Sequence, residues 1–131
     1  MADGQLQLVL VTPEKTLLDV PVDNLRYPLF DGLAGIYPSR APMVGRLGFG
    51  ELLIRTPSGE QSYYIDGGFI QVQENVVSIL TNDATALDQL DAAALRAELS
   101  ELVEQPTSGE EEQTAKTHRV DRVRKMLSLA Q

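Results

Sequence analysis

Residues 61–81 read Gln-Ser-Tyr-Tyr-Ile-Asp-Gly-Gly-Phe-Ile-Gln-Val-Gln-Glu-Asn-Val-Val-Ser-Ile-Leu-Thr. Short runs rich in β-branched and aromatic residues, at 61–65, 69–73 and 76–81, are parted by Asp66-Gly67-Gly68 and by Glu74-Asn75. Such side chains fit a pleated, half-buried surface, and Asp, Asn and Gly are the residues that tolerate a reversing backbone. The stretch therefore predicts consecutive β-strands. A tight Asp-Gly-Gly turn calls for positive φ, so Gly67 and Gly68 are expected to be the turn glycines of a hairpin.

The same pattern extends toward the N-terminus. Leu6, Leu8 and Leu10 fall on one face of a strand and Val9 and Val11 on the other, the period of two that strands impose. Further runs at 16–20, 22–29, 33–37 and 51–56 are bounded by Thr12-Pro13, Asp31-Gly32 and Pro57-Ser58-Gly59. Gly45-Arg46-Leu47-Gly48-Phe49-Gly50 lacks the lysine and Ser/Thr of a phosphate loop and is read as a corner between strands. Many short strands at this spacing predict an antiparallel β-sandwich or flattened barrel over residues 1–86.

After Asp83 the composition turns to Ala, Leu, Glu and Arg, which are better helix formers. Asp91 is placed to cap a helix whose Leu95, Leu99, Leu102 and Val103 make one apolar stripe, ending before Gln105-Pro106. Ser108-Gly109-Glu110-Glu111 has the form of a capping box, with Ser108 at the N-cap and Glu111 reaching back. A second helix then runs to about Ala130, with Val120, Val123, Leu127 and Ala130 on its apolar face. The short turn between them implies an antiparallel helical hairpin over residues 87–131. The predicted fold class is thus α+β, a β-sandwich followed by a helical hairpin.

Composition narrows the function. With 131 residues, 43% of them hydrophobic, the chain has enough apolar surface for a real core. It has no cysteine, so neither disulfides nor thiolate metal sites contribute. The longest apolar run, residues 6–11, falls far short of the roughly 20 residues that span a bilayer, and residues 1–5 have neither the basic flank nor the apolar stretch of a signal peptide. The expected location is the cytosol. A formal charge of −8 argues against nucleic acid or an anionic membrane as partner. Acids dominate residues 83–112, whereas Lys116, Arg119, Arg122, Arg124 and Lys125 make the end of the chain a local cation. His118, the single histidine, sits among those bases and is read as a solvated surface residue rather than part of a triad. No His, Asp and Glu cluster has the spacing of a transition-metal site. The residues therefore point to a binding or mechanical protein, with no catalytic, cofactor or metal site.

Specific segments resemble the epsilon family of F-type ATP synthases. Gly35-Ile36-Tyr37-Pro38-Ser39-Arg40-Ala41-Pro42 is similar to that family's Gly-Ile-Tyr-Pro-Gly-His-Ala-Pro signature, with Ser39 for glycine and Arg40 for histidine. Leu47 to Leu52, Tyr64 to Val72, Asn75 to Ala84 and the opening Leu8 to Asp19 match further family segments in order. With the hairpin, the resemblance covers nearly the whole chain.

The resemblance implies a non-catalytic central-stalk subunit that sits beside the gamma subunit and on the c-ring, coupling ion-driven rotation to ATP synthesis. It would be peripheral, held at the cytoplasmic face of the inner membrane only through the complex. The implied c-ring and gamma contacts are Asp31, Gly35, Tyr37, Pro38, Arg40 and Pro42; Leu33 stands where family members often carry an acid. The hairpin is implied to inhibit ATP hydrolysis by extending to the β subunit, with Arg119, Arg122, Arg124 and Lys125 as contacts. When compact, those bases are expected to pair with Asp88, Asp91 and Glu98. Some bacterial members bind ATP through Ile/Leu-Asp-x-x-Arg-Ala; here Leu90-Asp91 is followed by Ala94-Leu95, so weak or absent nucleotide binding is expected. On the residues alone, the competing reading is a free-standing β-sandwich adaptor whose basic helix holds an acidic partner.

Overall fold

Leu6, Leu8 and Leu10 are wholly buried while Gln7, Val9 and Val11 between them stay half-exposed, so the first strand has one face in a core and one outside. The computed structural model describes residues 5–30, 32–36 and 42–130. Its contacts divide the chain into residues 1–86 and 87–131.

Among the described residues the first unit holds ten strands: β1 (Leu6–Val11), β2 (Thr16–Val22), β3 (Asn24–Leu29), β4 (Gly32–Ile36), β5 (Met43–Arg46), β6 (Phe49–Thr56), β7 (Gly59–Asp66), β8 (Phe69–Gln73), β9 (Val76–Leu80) and β10 (Ala84–Ala86). They form two sheets, ordered β2-β1-β9-β8-β5 and β10-β7-β6-β3-β4. Every pair is antiparallel except β1 with β9, which run parallel with Leu8 opposite Val77 and Leu10 opposite Ile79. Inward residues of both sheets, including Leu52, Ile54, Ile65, Ile70, Val72, Val77 and Ile79, join Leu6, Leu8 and Leu10 in one core. Alternation on each strand makes that core, since successive side chains point to opposite faces.

β5 and β10 were not anticipated. Both are short edge strands: among the described residues β5 pairs only with β8, and it contains a glycine, while β10 is an Ala-Thr-Ala segment beside β7. Residues of weak β propensity acquire strand geometry here from a neighbour's free edge.

The Asp66-Gly67-Gly68 turn is not a hairpin. β7 belongs to one sheet and β8 to the other, so the glycines carry the chain across the sandwich. Both take positive φ, +75° at Gly67 and +108° at Gly68. The crossing is pinned by backbone bonds, with Asp66 N–H donating to Asp83 O (3.2 Å), Gly67 N–H to Gly48 O (3.0 Å) and Leu47 N–H to Gly68 O (2.8 Å). The corner expected at residues 45–50 supplies two of those partners. A true hairpin follows at Glu74-Asn75, both residues having positive φ between paired Gln73 and Val76.

In the second unit a 3₁₀ turn (Leu87–Gln89) precedes α1 (Ala92–Glu104) and α2 (Glu110–Ala130). Asp91 caps α1, its Oδ1 accepting from Ala93 N–H (3.0 Å) and Ala94 N–H (3.2 Å). Replacing an N-cap aspartate by alanine costs about 1 kcal/mol. Asp91→Ala is therefore expected to reduce α1 helicity by circular dichroism and speed exchange of its first amides. Leu95, Leu102, Val120 and Val123 are buried between the helices, with Leu90, Leu99, Met126, Leu127 and Ala130 packed around them. Val103, expected on the stripe, is 51% exposed. Neighbouring helical residues lie about 100° apart, so Leu102 takes the inward position and turns Val103 out.

The cap of α2 is shifted by one residue from the expected box. Gly109, at φ +103°, is the residue whose carbonyl accepts the first helical bond, from Gln113 N–H. Glu112 then occupies the third helical position, and its Oε2 accepts from Ser108 N–H (2.6 Å) and Ser108 Oγ–H (3.1 Å). Ser108 therefore donates to the carboxylate instead of capping the helix itself. The backbone bond first, and the hydroxyl second, hold the Glu112 carboxyl below the ordinary glutamate value.

Candidate functional site

The outward face of the β2-β1-β9-β8-β5 sheet carries an apolar band. Phe69 on β8 lies opposite Leu80 on β9, and Leu80 lies opposite Val11 on β1, so the three form one row across the sheet. Phe69 is 59% exposed and Leu80 54%. Val44 on β5 and Val9 on β1 extend the face, with Gln71 and Ser78 between them. Arg46 sits opposite Phe69, and its guanidinium stacks 4.4 Å from the centroid of the Phe30 ring, itself largely exposed. A contiguous exposed apolar patch rimmed by polar side chains marks an interaction site. The band was legible in principle, because Phe69 and Leu80 have the outward parity of their strands, but sequence reasoning did not single it out.

Of the predicted contact residues, Gly35 lies on edge strand β4, opposite Arg26 and exposed, and Pro42 is exposed just before β5. Leu33, also on β4, is 70% exposed. Asp31, Tyr37, Pro38 and Arg40 lie outside the described residues.

On the hairpin, Arg119 reaches Glu98 at 3.9 Å, with both side chains substantially exposed, so the pair contributes little. Arg124 and Lys125 are exposed and Arg122 half-exposed. Asp91, one of the expected partners of these bases, uses its carboxylate for the α1 cap. An open groove lined by Glu98, Glu101, Leu102, Glu104, Gln105 and Arg119 runs beside the pair. Lys116 makes contacts that sequence reasoning missed: Nζ donates to Val103 O (3.0 Å) and Gln105 O (2.8 Å) at the end of α1. The available signal was that α1 has no base in its last turn, where a cation is favourable. His118 is exposed. Among the described residues no group of His, Asp and Glu is placed to hold a metal, and no helix is long and apolar enough to cross a membrane.

Residues 5–87 match the family described as ATP synthase, Delta/Epsilon chain, beta-sandwich domain. The ATP synthase epsilon chain of Rhodopirellula baltica is 43% identical over 122 residues, 93% of this chain and 95% of that one. This chain belongs to the ATP synthase epsilon family. The epsilon chain of Leptospira borgpetersenii is 38% identical over 98 residues, 75% of this chain and 77% of its own length. The epsilon fold also recurs in solved structures. A chain of the Euglena gracilis mitochondrial ATP synthase OSCP/F1/c-ring structure has a TM-score of 0.81 at 24% identity, covering 98% of this chain and 81% of that one. A chain of the Tetrahymena thermophila mitochondrial ATP synthase central stalk/c-ring structure scores 0.70 at 20% identity, covering all of both. An epsilon chain is a non-catalytic subunit of ATP synthase, so family membership sets aside the reading as a free-standing adaptor.

Proposed function

We propose that this epsilon chain is a central-stalk subunit that couples ion-driven rotation of the c-ring to ATP synthesis, its sandwich docking on gamma and its hairpin restraining ATP hydrolysis. The observation that carries the docking half is the apolar row Phe69–Leu80–Val11 on the outward sheet face. Phe69 and Leu80 leave more than half their surface in water, which a partner's apolar groove would remove. Contact with the c-ring and with gamma is assigned as well to Asp31, Gly35, Tyr37, Pro38, Arg40 and Pro42, the residues that the family signature implies. Contact with the β subunit falls to Arg119, Arg122, Arg124 and Lys125. The subunit works at the cytoplasmic face of the inner membrane, held there through the complex alone.

Replacing Phe69 and Leu80 together by serine tests the docking face. Both side chains point away from the core, so the variant is expected to keep its fold by circular dichroism. Loss of two central apolar contacts costs upwards of about 2 kcal/mol of binding, or at least about thirty-fold in affinity for gamma. Exposed Glu60→Ala, on the β6–β7 hairpin, serves as a control that leaves binding unchanged. A folded double variant that binds gamma as tightly as the native chain in calorimetry would place the interface elsewhere.

A further inference from the structure

The geometry points to Lys116 as a latch: one ammonium on α2 closes the helical hairpin by holding the carbonyl of Val103, in the last turn of α1, and that of Gln105, the residue that follows α1. Its Nζ donates to Val103 O and Gln105 O at 3.0 and 2.8 Å. The last carbonyls of a helix have no intrahelical donors and carry the negative end of the helix dipole, so a cation that bonds them satisfies both needs. α1 has no base of its own there, and its C-terminal turn holds Glu101 and Glu104. The cation that meets these carbonyls comes from the other helix. A bond of this kind exists only while the helices lie together.

The rest of the interface makes the latch matter. Leu95, Leu102, Val120 and Val123 keep 3–8% of their surface exposed, whereas the sandwich core residues Leu6, Leu8 and Leu10 keep none. The Arg119–Glu98 pair is long and solvated. The other turn contacts, Thr107 Oγ to Gln113 Oε1 (2.8 Å) and Ser108 to Glu112, hold the start of α2 to the loop that precedes it and leave α1 free. Lys116 thus bonds α2 directly to the end of α1 and to the residue that follows it. α1 has 13 residues, a length at which an isolated helix is marginal in water. Parting the helices consequently melts α1, and exchange of its amides reports opening.

Amide hydrogen exchange on the full chain, resolved residue by residue by NMR, tests this. Lys116→Met keeps the packing stem and removes the ammonium, and is expected to speed exchange of the α1 amides about ten-fold. Lys116→Arg, which still presents paired donors, is expected to stay within about two-fold of native. Lys125→Met removes the same charge farther along α2 and should leave α1 exchange unchanged. If Lys116→Met abolishes α1 protection altogether, recovery by Lys116→Arg supports the latch and failure to recover overturns it. Unchanged exchange in Lys116→Met, or equal acceleration by Lys125→Met, also overturns it. The consequence for hydrolysis rests on the proposed inhibitory role of the opened hairpin: the assembled synthase carrying Lys116→Met is then expected to hydrolyse ATP more slowly. Faster exchange with unchanged hydrolysis leaves the latch standing and counts against inhibition, so the two readings fail separately.

Discussion

Gly68→Val is expected to unfold the sandwich or to lower its melting temperature by more than about 15 °C, at about 4–8 °C per kcal/mol for a domain of this size. A Cβ built on Gly68 stands 1.8 Å from Leu80 O and 2.8 Å from both Leu80 C and Thr81 Cα. All of these are backbone atoms, and no side-chain rotation relieves the clash. The residue also holds φ +108°, a region that a β-branched side chain does not adopt without strain. Either the β7-to-β8 crossing or the end of β9 must move, and β9 is a central strand of its sheet. Gly67→Val is expected to be milder, about 1–3 kcal/mol, because its φ is +75° but the nearest foreign atom is Asn82 Nδ2 at 3.5 Å. Gln61→Val, on an exposed strand position, provides the surface control. Thermal unfolding of the three variants should rank them in that order. Equal melting temperatures for Gly68→Val and Gln61→Val would show that the close crossing is wrong.

Removing residues 87–131 is expected to raise ATP hydrolysis by the assembled synthase while leaving assembly intact. The sandwich has its own core, so the truncated chain should fold and bind gamma; a truncated chain that does neither counts against the docking proposal. The size of the increase measures how often the hairpin inhibits: about two-fold if the inhibited state is half populated, about ten-fold if it holds nine-tenths of the molecules. On the proposed inhibitory role, neither a compact nor an extended hairpin need win strongly, because the pair buries a narrow stripe and exposed ion pairs contribute about 0–1 kcal/mol each. Glu110, Glu111 and Glu112 carry the same charge as Glu101 and Glu104 on the other side of a short turn, a repulsion that favours opening and that salt screens. Once extended, α2 with its 21 residues spans roughly 30 Å, enough to reach from a stalk into a catalytic head. Changing Arg119, Arg122, Arg124 and Lys125 to alanine should act in the same direction and be weaker at high salt. Unchanged hydrolysis in both variants, at low and high ionic strength, would remove the inhibitory role.

Period-two alternation made the sandwich legible, and the 3.6-residue stripe did the same for the hairpin, because each repeat directly reports which side chains leave water. Asp91 as a cap was equally plain. What escaped was pairing. Asp66-Gly67-Gly68 announces positive φ, but a turn's chemistry does not state whether the next strand joins the same sheet, and here it joins the other. Met43–Arg46 and Ala84–Ala86 become strands through a neighbour's edge, which local propensity does not record. Gly109 moved the α2 cap by one residue, since its φ of +103° lets the chain enter the helix later than Ser108. The Phe69–Leu80–Val11 row combines residues from three strands and is visible only once their registers are known. Lys116 was counted as one base among several until its bonds to α1 singled it out.

The parallel pairing of β1 with β9 bears on how the chain folds as it is made. β1 lies between β2 and β9, yet Gln7 and Val76 are partners from opposite ends of the sandwich sequence. A nascent chain can form the β1–β2 ribbon early, but that ribbon keeps an unsatisfied edge until the ribosome has delivered residue 80. Closing so long a loop is slow, and the waiting edge is open to pairing with another chain. Release of β9 is therefore the step that closes this edge, and crowding of nascent chains before it favours pairing between chains and aggregation.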